Sequence, residues 1–413
     1  MESNGERQRM NPDFSLKNVK YDKNLEKKVL LAINELSKKR DKKSHLLYHL
    51  NPSSNCLKEV KKEADRLASF SDTLIVVGIG GSSLSSKIFE SIKKKRRVIF
   101  FEGIDEREIM EKVNSLKIEN CSLNIISKSG NTLETIANSA ILIEKFKKSA
   151  GKNWKERVIL TTSEGSGRLQ NWAKKENIKM VEIPAPVGGR FSSFTPVGLL
   201  PSSFLSLKIE NIASGVEKGL ENGFKKEVKE NCSALLSLFY LYSSSKGFSN
   251  IYLWGFGKVS QSLSLWIQQL WDESLGKGGI GLSIIPLKGS EDQHSVLQLL
   301  VEGPQNFSTI FFTDNYKKIK INKNQRRFIG IGNQIKFFND LNLSLKEGAK
   351  NHLVKNKVPL LEFSLGKSDE EEIAKVMTQF IISTLIIAEV CNINPLGQSG
   401  VEESKQYTRS LIL

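Results

Sequence analysis

The chain has 413 residues, too many for one compact core, so two or three domains are expected. Its 61 basic and 45 acidic side chains leave a formal charge of +16, which favours anionic partners. The basic residues fall in separate patches (38–43, 93–97 and 317–327) without the interleaved aromatics of a base-stacking face, so nucleic acid is not the expected partner.

Residues 1–60 read as a charged, helical extension. The start, Met1 to Arg7, lacks the apolar core of a signal peptide. His45 and His49 fall four apart on a predicted helix, but no third metal ligand is nearby. Cys56, Cys121, Cys232 and Cys391 lie far apart, which argues against a disulfide framework or zinc site and fits a reducing compartment.

From about residue 72, strand-like and helix-like segments alternate. A strand at 73–77 stops at Gly78-Ile79-Gly80-Gly81-Ser82-Ser83, and a helix follows. A strand at 97–101 precedes a helix at 106–116. The strand 123–126 runs into Ser127-Lys128-Ser129-Gly130-Asn131-Thr132 and another helix, and the strand 157–161 precedes a helix near 167–176. Such alternation predicts a parallel sheet with helices on both faces. The pattern then restarts. A strand at 250–254 ends at Gly255-Phe256-Gly257-Lys258-Val259-Ser260, and Val259, Leu263, Trp266 and Leu270 then mark one helical face. Strands follow at 280–286, 308–312 and 360–363, with a last helix at 370–391. Its apolar run, 376–391, is broken by Thr378, Gln379, Ser383, Thr384 and Glu389, and reads as a buried helix rather than a membrane span. The expected architecture is therefore α/β: two doubly wound, mainly parallel-sheet domains at 61–200 and 226–391, a connection at 201–225 and a tail at 392–413. A cytoplasmic protein without a membrane partner is expected.

The turns at 78–83 and 127–132 both follow the carboxyl ends of strands, where open α/β sheets take ligands. Gly80 and Gly81 allow close backbone approach, and Ser82 offers a hydroxyl. In the second turn, backbone N–H groups at a helix start, the hydroxyls and Lys128 suit a phosphate. A plain helix cap by Asn131 or Thr132, with Glu134 in the first turn, is the competing reading. A dinucleotide reading of Gly78-x-Gly80, with Glu102 as ribose acid, is weak because Ser83 stands where a third glycine belongs.

Four further places carry chemistry. Arg190 follows Gly188-Gly189 in an apolar, small-residue segment, where its fork suits a developing oxyanion as well as a surface ion pair. Gln269 and Glu273 share a helix face beside Trp266, Leu270 and Trp271, where partial desolvation suits a general base; a solvated helix-end carboxylate is the alternative. His294 is read at the start of an apolar helix, either for proton exchange or as a packing residue. Lys405 lies in the tail, by default a solvated charge.

These segments, in this order, resemble the phosphoglucose isomerase (glucose-6-phosphate isomerase) family. The resemblance rests on Gly78 to Ser82, Ser127 to Thr132, Gly188 to Ser192 with Val197 to Pro201, Glu273 to Lys277, Gln293-His294-Ser295, and Asn394-Pro395 through Lys405. It implies two sugar-isomerase (SIS-type) domains and a dimer with active sites shared between subunits. It makes Glu273 the base that moves a proton between C1 and C2 and Arg190 the stabiliser of a cis-enediolate, with Gly189 shaping the turn. His294, from the neighbouring subunit, and Lys405 would assist ring opening. Ser127, Lys128, Ser129 and Thr132 would hold the phosphate, and Gly81, Ser82, Gln269 and Gln398 would line the sugar. No metal or organic cofactor is implied. Leu396-Gly397 stand where the family usually has Phe-Asp, Glu403-Ser404 replace small residues before Lys405, and Leu275 replaces a frequent Asn. Rival readings are an isomerase that also accepts mannose 6-phosphate, a non-catalytic sugar-phosphate sensor, and a nicotinamide-dependent oxidoreductase.

Overall fold

The computed structural model describes residues 14–92, 95–149, 151–316 and 318–412. The first part of the expected extension (1–13), and Lys93, Lys94 and Lys317 of the basic patches, lie outside the described residues. The chain divides into two compact units: a first unit of Lys38–Lys218 with Asp369–Thr378, and a second made of the residues through Ser37, Gly219–Ser368 and Gln379–Leu413.

The described residues form strands β1 (Phe14–Lys17), β2 (Thr73–Val77), β3 (Arg97–Phe101), β4 (Cys121–Ile126), β5 (Val158–Thr162), β6 (Lys179–Glu182), β7 (Asn250–Phe256), β8 (Ser283–Lys288), β9 (Phe307–Asp314) and β10 (Leu360–Leu365). The first unit holds a parallel sheet in the order β3-β2-β4-β5-β6. All six residues of β4 are buried, as a central parallel strand covered on both faces requires. Its core joins Ile75, Val77, Leu123, Ile125, Leu142, Phe146 and Leu160.

The second unit repeats the plan as β8-β7-β9-β10-β1, parallel except that β1 runs antiparallel to β10, with Phe14 opposite Phe363. The helix Lys258–Leu275 buries the predicted stripe of Val259, Leu263, Trp266 and Leu270, together with Ile267 and Trp271. Trp254 stacks on Phe311 at 5.3 Å between ring centroids. A buried ring of this size removes roughly 150–250 Å² from water, about 4–6 kcal/mol before conformational entropy is counted.

The α/β class with two mainly parallel sheets is the one expected. Several local expectations differ. Within the expected helical extension, residues 14–17 form an edge strand, tied down by Asn18, whose side-chain amide donates to the carbonyls of Val354 and Val358. The helix Lys23–Ser37 belongs to the second unit and Ser54–Phe70 to the first. His45 and His49 do not share an α-helical face. His45 precedes a 3-10 turn, Leu46–His49, and accepts from the Leu47 N–H, while the His49 ring meets the Lys43 carbonyl at 2.7 Å. The strand read at 280–286 starts three residues later, because Gly278, Gly279 and Gly281 hold positive φ of 62°, 75° and 128°. The helix Glu370–Val390 is apolar enough to cross a membrane by composition, but 83% of its apolar window is buried inside the protein. The four cysteines are free.

Candidate active site

In the first unit, β4 delivers the chain into the 127–132 turn. The Ser127 and Thr132 hydroxyls face each other at 3.0 Å, the Gly130 N–H donates to Ser127 Oγ at 3.1 Å, and the Asn131 N–H donates to Ser129 Oγ at 3.2 Å. Thr132 gives its carbonyl to the Ile136 N–H, so it opens the helix Leu133–Ser149 through its backbone while its hydroxyl stays in the turn. The Asn131 side chain instead accepts from the Arg168 N–H at 2.9 Å, at the start of the next helix. Gly130 sits at φ +66°, and a Cβ there would lie 1.8 Å from Gln170 Oε1. Gln170 donates to Thr162 Oγ1 at 2.8 Å, and Thr162 donates to the Ser127 carbonyl at 2.7 Å. These two buried residues set the turn from behind. The Lys128 ammonium donates to the Ala185 carbonyl at 2.8 Å, and burial lowers its pKa.

The 78–83 turn touches a third segment. A Cβ on Gly81 would lie 2.3 Å from the Gly189 carbonyl and 2.7 Å from the Arg190 nitrogen, so only a glycine permits the approach. Arg190, 2% exposed, is the second residue of the 3-10 turn Gly189–Phe194, with its guanidinium 5.3 Å from the Phe191 ring. Ser192 Oγ donates to the Gly189 carbonyl at 2.6 Å, and Thr195 caps the helix Pro196–Phe204. Ser82 is half-buried. Glu102, at the end of β3, accepts from Ser83 Oγ and Lys87 Nζ of the turn and its helix.

In the second unit, Glu273 lies in the last turn of Lys258–Leu275. Gln269 Nε2 donates to its Oε1 at 3.0 Å and Gln398 Nε2 to its Oε2 at 2.5 Å, so each carboxylate oxygen receives an amide. Lys277 donates to the carbonyls of Asn394 and Gly397, both at 2.6 Å. Asp272, beside the carboxylate, accepts from the Ile284 N–H at 3.1 Å. Burial, helped by the charge of Glu273, pushes the Asp272 carboxyl from 3.8 up to about 6, against the opposing effect of the Ile284 hydrogen bond.

His294 is not at an α-helix start. It ends the 3-10 turn Glu291–His294, is exposed, and the α-helix begins only at Leu297. Lys405 is exposed on the helix Ser399–Ile412 and pairs with Glu402 at 2.7 Å.

The helix that repeats the first unit's design is capped from within. Asp314, 5% exposed at the end of β9, accepts from the N–H groups of Val259 at 2.8 Å and Ser260 at 2.9 Å. Burial raises its pKa. Strand register gives its counterpart. Val77 pairs with Ile125, which sets Gly78 opposite Ile126, and Gly255 pairs with Phe312. Two residues beyond those partners stand Lys128, in the turn after β4, and Asp314, the last residue of β9.

Residues 67–333 match the family described as Phosphoglucose isomerase. The chain belongs to the phosphoglucose isomerase family. A curated relative from Aster yellows witches'-broom phytoplasma, named glucose-6-phosphate isomerase, is 30% identical over 83% of this chain and 83% of its own length. One of the same name from Carboxydothermus hydrogenoformans is 26% identical over 93% of this chain and 88% of its own. The crystal structure of a hypothetical protein from Thermus thermophilus has the same fold, with a TM-score of 0.85, 23% identity, and coverage of 97% of this chain and 99% of that one.

The packing of this family member makes two variants informative. Gly81→Ala should displace the 189–190 backbone, cost about 1–3 kcal/mol of stability, and lower kcat by about 10- to 100-fold, as thermal melts and steady-state kinetics would record. For Asp272, the folded protein keeps a proton that the unfolded chain has released. Its contribution is full below the unfolded value of 3.8 and is lost as pH rises through about 6. Asp272→Asn, which keeps the acceptor for Ile284, should therefore lose less stability than the unmodified protein between about pH 4.5 and neutrality. Melting both proteins at the two ends of that range checks the sign.

Proposed function

We propose that this protein is a glucose-6-phosphate isomerase, interconverting glucose 6-phosphate and fructose 6-phosphate through a cis-enediolate. The observation that carries the reading is the Glu273 carboxylate, held at both oxygens by amide donors in a chain of this family. With its charge and orientation set, Glu273 takes the proton from one carbon and returns it to its neighbour. The substrate carbonyl acidifies that proton, so a positioned base and an electrostatic partner suffice, without metal or organic cofactor.

Arg190 is the electrostatic partner, its backbone fixed against Gly81 and Gly189 and its charge kept out of bulk water. Ser127, Lys128, Ser129 and Thr132 bind the phosphate at the start of Leu133–Ser149, where N–H groups and hydroxyls gather. Gly81, Ser82, Gly189, Gln269 and Gln398 face the sugar. His294 and Lys405 serve ring opening in a homodimer whose sites are shared. Their exposure on their own chain supports that assembly, as does the helix Ser399–Ile412, exposed throughout with Val401, Tyr407, Leu411 and Ile412 uncovered. An isolated helix of this length is marginal in water, so a covering surface is expected.

A coupled assay of fructose 6-phosphate conversion, run with chelator present and in parallel with mannose 6-phosphate, tests the reading. Turnover of the first supports it; turnover of both would widen it. Sugar-phosphate binding without turnover would make the chain a sensor and end the proposal. Light scattering of the same preparation reads the dimer.

A further inference from the structure

Lys277 has no part in the chemistry above, yet its side chain joins two segments that sequence keeps far apart. Its backbone is locked. The Lys277 and Ile280 N–H groups exchange hydrogen bonds with each other's carbonyls, both at 3.1 Å, just after the helix that carries Glu273. From there the half-buried ammonium reaches the carbonyls of Asn394 and Gly397. Asn394 turns the tail by accepting from the Leu396 N–H at 2.9 Å, and Gln398, the next residue after Gly397, donates to Glu273 Oε2. The links close a ring: Glu273, the helix end at Leu275, Lys277, the tail carbonyls, Gln398 and back to the Glu273 carboxylate.

We propose that Lys277 is a positioning residue for the base, holding the tail so that Gln398 keeps one oxygen of Glu273 in place. The inference rests on Glu273 being the base. Lys277 acts through carbonyl oxygens, so it is indifferent to the tail side chains, including Leu396 and Gly397 where the family usually has Phe and Asp. Gln398 thereby becomes a residue with two duties, one toward the sugar and one toward the base. A base moved by even 1 Å can lose about 10²-fold in rate, so a clasp at this point reads out in kcat.

The test is a double-mutant cycle on the full chain. Lys277→Met and Gln398→Leu should each lower kcat by about tenfold or more, and the double variant should be no worse than the poorer single variant. Competitive inhibition by inorganic phosphate should stay unchanged in Lys277→Met, because the phosphate turn belongs to the other unit. Lys277→Arg, which can still donate to both carbonyls, should recover most of kcat. Should Lys277→Met fail to fold, Lys277→Gln, which keeps a donor nitrogen on a shorter, uncharged side chain, takes its place in the cycle. Full kcat in Lys277→Met, or in Lys277→Gln where it takes its place, or losses that multiply in the double variant, would overturn the inference. The base assignment is tested separately by Glu273→Gln: if that variant is dead while the Lys277 variants are normal, only the clasp fails.

Discussion

Glu273→Gln is expected to lower kcat by about 10²- to 10⁴-fold and leave KM nearly unchanged. The carboxylate accepts one amide at each oxygen, from Gln269 and from Gln398. A glutamine at 273 has a single carbonyl oxygen, so its own amide nitrogen must face one of those donors, and one of the two bonds is lost. The side chain keeps its length and place but cannot accept a carbon-bound proton. Glu273→Asp is a different lesion: basicity survives, but the group is withdrawn by one methylene from both amides and from the substrate carbons. Loss of solvent-proton exchange into the sugar, measured alongside net turnover, separates failed proton transfer from failed ring opening. A Glu273→Gln enzyme that turns over normally would remove the base from this residue.

The second large effect is expected at Arg190. Arg190→Ala should reduce kcat by about 10²- to 10³-fold, the range for losing a preorganised group that meets charge developing on oxygen. Arg190→Lys should recover little, because a compact ammonium cannot reproduce a planar fork held beside the Phe191 ring. The loss should fall on enediolate-like inhibitors more heavily than on ground-state analogues, which comparing inhibition constants would reveal. Equal weakening of both classes would make Arg190 a ground-state binder.

Much of the fold is written locally. The strands β2 and β3 have the bounds expected from sequence because each is an apolar, β-rich run cut off sharply, β2 by Gly78 and β3 by Glu102 and Gly103. The strands β1 and β6 give no signal because each is four residues long and lies at a sheet edge, where burial imposes no pattern. The candidate site divides in the same way. Ser127 to Thr132, Gly81, Arg190 and Glu273 are conspicuous because their chemistry is concentrated in glycine-rich turns or on one helix face. The parts played by Thr162, Gln170 and Lys277 are not legible, since each acts on residues distant in the chain; Gln398 and Glu273, which Lys277 ties together, are 125 positions apart. His294 reads as helical because the apolar run after it is helical, but that run begins only at Leu297.

Asp314 gives the internal duplication its meaning. A helix whose first N–H groups already donate to a buried carboxyl leaves no donors there for a solute anion. At the corresponding position the first unit has Lys128, whose ammonium donates to the Ala185 carbonyl, so the two copies carry opposite charges there. Two sheets of one plan are thus told apart by a change of sign at a single register position.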